Sequence, residues 1–249
     1  MNDPIIDALG RLADTDTAPP GLLDKVVSRW TTVPGPTGEL YVAFTDRGIS
    51  YLRVAGDEGG FLEAYRARFG RPLVATDRPP AGLVPALRTG RGRKLAVDLR
   101  GLTTFEQDVL AATREIPVGE VRPYAWIARE IGRPRAVRAV GSALGRNPVP
   151  LVIPCHRVTR SDGIPGGYVF GPAMKESLLR HEGANLDAIH DLAGRSVFYL
   201  ASDTTGIVCY PSCHHARRIT APHRHGFRTL GEAATAGYRP CLDCRPAGS

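Results

Sequence analysis

The rhythm of apolar and polar positions changes along the chain. Residues 40–44 and 49–54 are strand-like runs flanking Thr45-Asp46-Arg47-Gly48, a four-residue hairpin signal. Leu62, Tyr65 and Phe69 then recur at helical spacing. Residues 25–98 are therefore predicted to form a small α+β domain. Residues 1–24 join one short amphipathic stretch, Ile5 to Leu9, to a Thr/Asp/Pro-rich tract. That composition predicts a frayed extension.

From 101 to 185 the pattern turns helical. Thr103 or Thr104 caps a predicted helix over 105–116, which Pro117-Val118-Gly119-Glu120 ends. A second helix is predicted over 124–131, closed by Gly132-Arg133-Pro134, a third over 136–144, and a closing one over 173–182. Two short helices about a Gly-Arg-Pro turn match a helix-turn-helix, with Arg135 and Arg138 at the start of the second. Its small residues, Ala136, Ala139, Gly141, Ser142 and Ala143, leave two readings open: close approach to a nucleic-acid groove, or tight helix–helix packing. Residues 186–195 are predicted as a linker and 196–249 as a separate small module.

Composition narrows the class. With 43% hydrophobic and 23% charged residues among 249, the chain is not disordered throughout. The longest apolar runs, such as 149–154, fall far short of the roughly 18–20 residues of a bilayer span. Residues 1–4 open no secretory signal. A cytoplasmic chain with no membrane partner is expected. The net charge of +7 is uneven: residues 122–160 carry eight arginines against one acid, and 195–249 carry seven against three. Two basic patches in the C-terminal half favour nucleic acid as the partner.

Five cysteines divide as four plus one. Cys209-x3-Cys213 and Cys241-x2-Cys244, twenty-seven residues apart, suit one tetrahedral zinc held by four thiolates. His214, His215, His223 and His225 lie between the pairs, but the cysteines already close the shell. Such a metal would also hold together a segment too small for a sizeable core. Cys155 stands alone. A lone cysteine is commonly a small buried hydrophobe, yet this one follows a proline-bounded apolar run and precedes His156 and Arg157, cations that would favour the thiolate. Neighbouring residues do not face one another on a strand or helix, so His156 would reach the thiol through a water or a sharp turn. Spacing does not identify the carboxylate that would orient the imidazole.

Pro154-Cys155-His156-Arg157-Val158, preceded by Arg138-Ala139-Val140-Gly141 and Arg146-Asn147-Pro148, resembles the O6-alkylguanine-DNA alkyltransferase family. The likeness runs from about 117 to 183 and includes Tyr124, the Gly166-Gly167-Tyr168 loop and Leu178-Leu179-x-His181-Glu182-Gly183. It implies an α+β architecture: a small ribonuclease-like N-terminal subdomain over 25–98, then a mostly helical, winged-helix-like catalytic domain over 101–185. It also implies irreversible transfer of an alkyl group from O6-alkylguanine, with O4-methylthymine as a second substrate class, to Cys155. The base is flipped out of double-stranded DNA first, at a cost of a few kcal/mol. By the same resemblance His156 is the water-linked base, Glu182 the carboxylate behind it and Asn147 the brace of the active-site turn. Tyr124 crowds the phosphate and donates to the departing guanine, and Arg138 fills the vacated stack with Arg135 beside it. Tyr168 and Val158 line the base pocket. No organic cofactor is implied, and a monomer is expected.

Residues 198–246 resemble the metal-binding domain of Ada through Thr204-Thr205-Gly206-Ile207-Val208-Cys209-Tyr210-Pro211-Ser212-Cys213 and Ala236-Gly237-Tyr238-Arg239-Pro240-Cys241. In that family one zinc-bound thiolate takes a methyl from a DNA methylphosphotriester, and by position that acceptor would be Cys209. Tyr210 stands where arginine is common, and the stretch from Arg217, a candidate phosphate contact, to Phe227 diverges. The module follows the alkyltransferase domain instead of preceding it. Two readings stand for it: phosphotriester acceptor, or zinc-stabilised DNA-binding accessory. The alternatives to repair are a methylation-activated transcription regulator and a lesion-binding sensor without transfer.

Overall fold

The computed structural model describes residues 26–247, so the expectation for residues 1–24 lies outside it. The described chain divides into two compact units. One holds the residues through Thr103 together with Pro148–Val152, and the other holds Thr104–Asn147 and everything from Ile153 on.

The first unit is built on a four-stranded sheet. Strands β1 (Ser28–Gly35), β2 (Gly38–Thr45) and β3 (Gly48–Val54) form an antiparallel meander, and β4 (Leu73–Ala75) pairs parallel with β1, giving the order β3-β2-β1-β4. This is the ribonuclease-like arrangement the sequence implied. The predicted hairpin is present, and the residue that closes its turn, Gly48, has φ +136°. A Cβ there would lie 2.4 Å from the Ala96 carbonyl carbon, so only glycine fits. Helix α1 (Glu58–Phe69) begins earlier than its apolar spacing suggested, because the Asp57 side chain accepts a hydrogen bond from Gly60 N. It lays Phe61 and Tyr65 on Trp30, Ala43 and Tyr51 of the sheet. A short helix, α2 (Leu83–Thr89), completes the unit. The segment Pro148–Val152 is fixed to β3 by Leu52 N donating to the Pro148 carbonyl at 2.9 Å.

The second unit opens with three helices, α3 (Thr104–Arg114), α4 (Tyr124–Glu130) and α5 (Val137–Gly145), with the short strand β5 (Arg122–Pro123) before α4. The turn between α4 and α5 passes through Gly132 at φ +70°. The two readings of α5 separate by face: Val140, Ala143 and Leu144 are buried, while Arg138, Ala139 and Ser142 are exposed. Arg135, expected at the helix start, is exposed in the turn before it, because the helix begins only at Val137. After a single 3-10 turn at Cys155–Arg157, β6 (Val158–Thr159) pairs parallel with β5, and α6 (Pro172–His181) packs behind.

The linker expected over 186–195 is instead helix α7 (Leu186–Gly194). Asn185 caps it by accepting from Ala188 N at 3.0 Å, and Leu186 and Ile189 bury with Val121, Leu179 and Ala184. The cysteine module then forms the sheet β10-β8-β7-β9 from β7 (Tyr199–Ser202), β8 (Ile207–Cys209), β9 (Arg224–Phe227) and β10 (Arg239–Pro240). Helix α8 (Leu230–Thr235) carries a capping box between Thr229 and Glu232. The module was expected to stand apart, but it belongs to the same compact unit as the helical domain. Among the described residues no helix is long and apolar enough to cross a membrane.

Candidate active site and metal centre

Cys155 sits on the 3-10 turn that follows the apolar run, 6% exposed. Leu151, just upstream, has φ +72°, a left-handed conformation that costs a β-carbon-bearing residue on the order of 1–2 kcal/mol. Asn147 spans the turn. Its Nδ2 donates to the Ile153 carbonyl at 3.0 Å and to Cys155 Sγ at 3.2 Å. A donor aimed at sulfur favours the thiolate over the thiol.

His156 is 1% exposed, and its Nε2 lies 3.0 Å from Glu182 Oε1. Arg157 grips the same carboxylate through Nε at 2.8 Å and Nη2 at 2.7 Å, and donates Nη1 to the Ile116 carbonyl at 2.7 Å. Burial alone would raise the Glu182 carboxyl, but the hydrogen bonds and charges of His156 and Arg157 prevail and bring it down to about 2. Glu182 is thus an anion at neutral pH and can only accept. That fixes the proton of His156 on Nε2 and leaves Nδ1 as the basic nitrogen. Burial also lowers the imidazolium pKa, so the ring is neutral. Nδ1 is buried and makes no hydrogen bond. The cation expected to act on the thiol, Arg157, is instead committed to Glu182 and Ile116, because a buried guanidinium needs a carboxylate and a carbonyl to replace its water.

The residues expected to receive the base and the DNA lie as follows. The Tyr168 ring meets His156 edge-on at 6.1 Å, and its hydroxyl is buried without a partner. Burial, and the Cys155 and Glu182 charges, push that hydroxyl well above the ordinary tyrosine range. Tyr124 lies half-buried at the start of α4, its Oη 3.3 Å from where a Cβ on Gly166 would stand, so the Gly166-Gly167 loop passes close against it. Val158 is fully buried. Arg138 is exposed on α5, and Arg135 is exposed in the turn before it.

Sequence reasoning missed Lys175. It is completely buried on α6, and its Nζ donates to the Val158 carbonyl at 2.5 Å and the Gly167 carbonyl at 3.5 Å. The ammonium therefore ties the strand after Cys155 to the Tyr168 loop. Burial lowers its pKa to about 8, opposed by attraction to Cys155. The signal was present: Lys175 shares the apolar face of α6 with Leu178 and Leu179.

In the module, Cys209 ends β8, Cys213 follows on a turn, and Cys241 and Cys244 come after β10. All four are buried, and their Sγ atoms lie within 4.8 Å of one another. No disulfide joins any of the five cysteines. A converging, buried set of four thiols fits tetrahedral zinc. A cleft of about 340 Å³ beside Cys209 is lined by Thr204, Thr205, His215, Arg218, Thr220 and His223. Arg217 is exposed and donates Nη1 to the Gly183 carbonyl at 3.4 Å, next to Glu182.

The module is joined to the helical domain by polar contacts that the sequence did not signal. Ser212 Oγ accepts from Val121 N at 3.0 Å and donates to the Val121 carbonyl at 3.1 Å. Glu120, 2% exposed, pairs with Arg122 at 2.5 Å and accepts from His214 N and Nδ1 at 3.1 and 3.0 Å. Trp126 Nε1 donates to the Cys244 carbonyl at 3.0 Å. Tyr210, in the position where arginine is common, is buried at this junction: it stacks on Tyr199, takes Ala247 N at 2.9 Å and lies beneath the Arg122 guanidinium.

Comparison with known proteins bears on both centres. Residues 104–184 match the family model described as 6-O-methylguanine DNA methyltransferase, DNA binding domain, and residues 189–247 match the metal binding domain of Ada. A methylated-DNA--protein-cysteine methyltransferase of Salmonella typhimurium is 51% identical over 157 residues, spanning 59% of this chain and 91% of the relative. The bifunctional transcriptional activator/DNA repair enzyme Ada of Escherichia coli is 36% identical over 172 residues, which is 65% of this chain but only 47% of Ada. Among solved structures, Mycobacterium tuberculosis OGT in complex with DNA aligns with a TM-score of 0.52 and 33% identity, over 65% of this chain and 98% of that one.

Proposed function

Since the chain belongs to the methylated-DNA--protein-cysteine methyltransferase family, we propose that it repairs alkylated DNA directly, taking the alkyl group of O6-alkylguanine onto Cys155. The observation that carries this reading is the relay Glu182–His156 beside a thiol held by Asn147. His156 Nδ1 draws the thiol proton through a bridging water. Asn147 Nδ2–H steadies the resulting thiolate, and Glu182 steadies the imidazolium. The sulfur attacks the alkyl carbon in line, an S–C bond forms, the C–O6 bond breaks, and its electron pair stays on guanine. Tyr124 donates a hydrogen bond to the departing base, and the proton taken from the thiol passes from His156 to the guanine anion, which leaves as neutral guanine. The resulting thioether has no route back, so each chain acts once. The step needs no nucleotide or redox cofactor.

The substrate base is reached by flipping it out of duplex DNA. The exposed Arg138 on α5 and Arg135 in the turn before it face the groove in this reading, Arg138 filling the stack, while Tyr168 and Val158 line the base pocket. The protein acts as a cytoplasmic monomer without a membrane partner. The four-cysteine zinc site of the module, when filled, keeps its thiolates deprotonated at neutral pH. A second acceptor at Cys209 is favoured by one observation: the cleft that Cys209 lines is also lined by Arg218 and three threonines, a lining suited to a phosphate group. There the sulfur would displace a phosphodiester oxygen from the methyl carbon, the electron pair leaving with the phosphate.

The test is intact and peptide mass spectrometry after incubation with methylated duplexes, comparing wild type, Cys155→Ala and Cys209→Ala. One methyl on Cys155 from O6-methylguanine DNA is expected, and a second on Cys209 from methylphosphotriester DNA. Lesion binding with no methyl on either cysteine would make the protein a sensor. Promoter-specific binding that appears only after methylation would make it a regulator.

A further inference from the structure

The four-cysteine set leaves the neighbouring histidines free of the zinc, and two of them, His214 and His215, converge on the carboxylate of Asp243. His214 and His215 stack with ring centroids 4.0 Å apart. Asp243 Oδ2 lies 2.6 Å from His215 Nε2 and 3.6 Å from His214 Nε2. The three ligand atoms fall within 4.8 Å of one another, and all three side chains are partly open to solvent. Bonds of 2.0–2.2 Å to a tetrahedral ion place neighbouring ligand atoms about 3.3 Å apart, so small adjustments close this set on a cation.

Proximity alone would not make a site, because an imidazole beside an aspartate is ordinarily a surface ion pair. The second observation is the far side of His214. Its Nδ1 lies 3.0 Å from Oε1 of Glu120, a carboxylate only 3% exposed and paired with Arg122. An ionised carboxylate only accepts, so Glu120 holds a proton of His214 on Nδ1 and leaves Nε2 as the nitrogen turned to solvent. That nitrogen faces the Asp243 oxygen at 3.6 Å. A metal ion bound there would lie between the nitrogen and the oxygen, in place of any proton they share. A buried carboxylate that fixes the tautomer of a histidine is the outer-shell arrangement that metal-binding imidazoles commonly have.

We propose that His214, His215 and Asp243 form a second metal site, of nitrogen and oxygen chemistry, for a divalent transition ion such as zinc, cobalt or nickel. Two imidazoles and a carboxylate suit those ions and not calcium or magnesium, which take oxygen ligands. On binding, His215 shifts its proton to Nδ1 and releases its hydrogen bond to Asp243, and water completes the shell. The site differs from the four-cysteine centre in ligand class and in exposure. Because His214 is already held by Glu120 of the helical domain, the metal would sit at the edge of the existing junction.

The experiment uses the full chain with its four-cysteine site loaded with zinc, titrated with cobalt(II) and followed by calorimetry and visible absorption. The expected result is one further saturable equivalent in wild type, with weak ligand-field absorption and no cobalt–thiolate charge-transfer band. The exposed double variant His215→Ala/Asp243→Asn should lose that equivalent while keeping its zinc and its thermal transition. In wild type the added cobalt should shift the His214 and His215 ring-proton resonances. Failure to saturate, equal binding by the double variant, or binding accompanied only by thiolate charge transfer would overturn the assignment. None of these readouts depends on methyl transfer.

Discussion

Replacing Glu182 with glutamine keeps the shape of the side chain and removes its charge. In the wild type that carboxylate neutralises Arg157 through two hydrogen bonds and takes a third from His156, all in a region less than a tenth exposed. Its pKa stands at about 2 against an ordinary 4.5. A shift of that size corresponds to roughly 3 kcal/mol at neutral pH. Removing one partner of a buried ion pair typically costs about 3–5 kcal/mol, which agrees. Glu182→Gln should therefore lose about 3 kcal/mol in urea unfolding at pH 7. The sign of the pH dependence follows from the depressed pKa. The wild-type advantage is fully present above about 4.5 and disappears as pH falls toward 2, so the two unfolding curves should converge in acid. Methyl transfer should slow as well, because the imidazolium formed during proton removal loses its counter-charge. A variant within about 1 kcal/mol of wild type at pH 7, with the same acid dependence, would falsify the buried network.

Asn147→Ala removes the donor to Cys155 Sγ and the brace on Ile153, and should slow transfer at least about tenfold, a loss of roughly 1.4 kcal/mol, in single-turnover kinetics. Lys175→Met keeps the buried stem and removes the ammonium. The wild-type lysine, depressed to about 8, makes stability rise with pH between about 8 and 10.5, and thermal scans of the variant should lack that rise. Stripping zinc with a chelator should unfold the module and uncover Glu120, Arg122 and Trp126. Hydrogen exchange should then report lost protection in α4, and unchanged α4 protection in the metal-free chain would contradict the docking. Arg138→Ala should weaken lesion binding and flatten its salt dependence without altering urea stability, as read by fluorescence anisotropy.

The parts of this molecule that could be read from the sequence were those with a local signature. Alternation over 40–54 announced the hairpin, Gly-Arg-Pro the helix-turn-helix, and paired cysteines the metal centre. Boundaries shifted where a cap decided them, as with Asp57 ahead of α1 and Asn185, which turned a supposed linker into α7. The carboxylate paired with His156 came from family resemblance, since Glu182 lies 26 residues from His156 and no periodicity links them. Lys175 was overlooked because lysine is ordinarily a surface residue, and only its register with Leu178 and Leu179 marked it. The Glu120–His214 and Val121–Ser212 contacts had no sequence signal. They join positions more than ninety residues apart through polar groups, which hydropathy reads as solvent-facing.

The Trp126 indole, which points at the carbonyl of a metal-binding cysteine, sets how this protein can be divided. A fragment ending after Ala184 would retain every residue of the Cys155 centre. It would also turn the buried indole, the Arg122 guanidinium and the Val121 amide toward water, three groups that all have partners beyond the cut. Such a fragment should be sticky and short-lived, and its shortcomings could be mistaken for a poor active site. In a cell the same surface would emerge from the ribosome before the segment that covers it, leaving α4 incompletely packed until synthesis reaches Cys244. The residues around Cys244 thus determine when the helix-turn-helix becomes fully native, although none of them belongs to it.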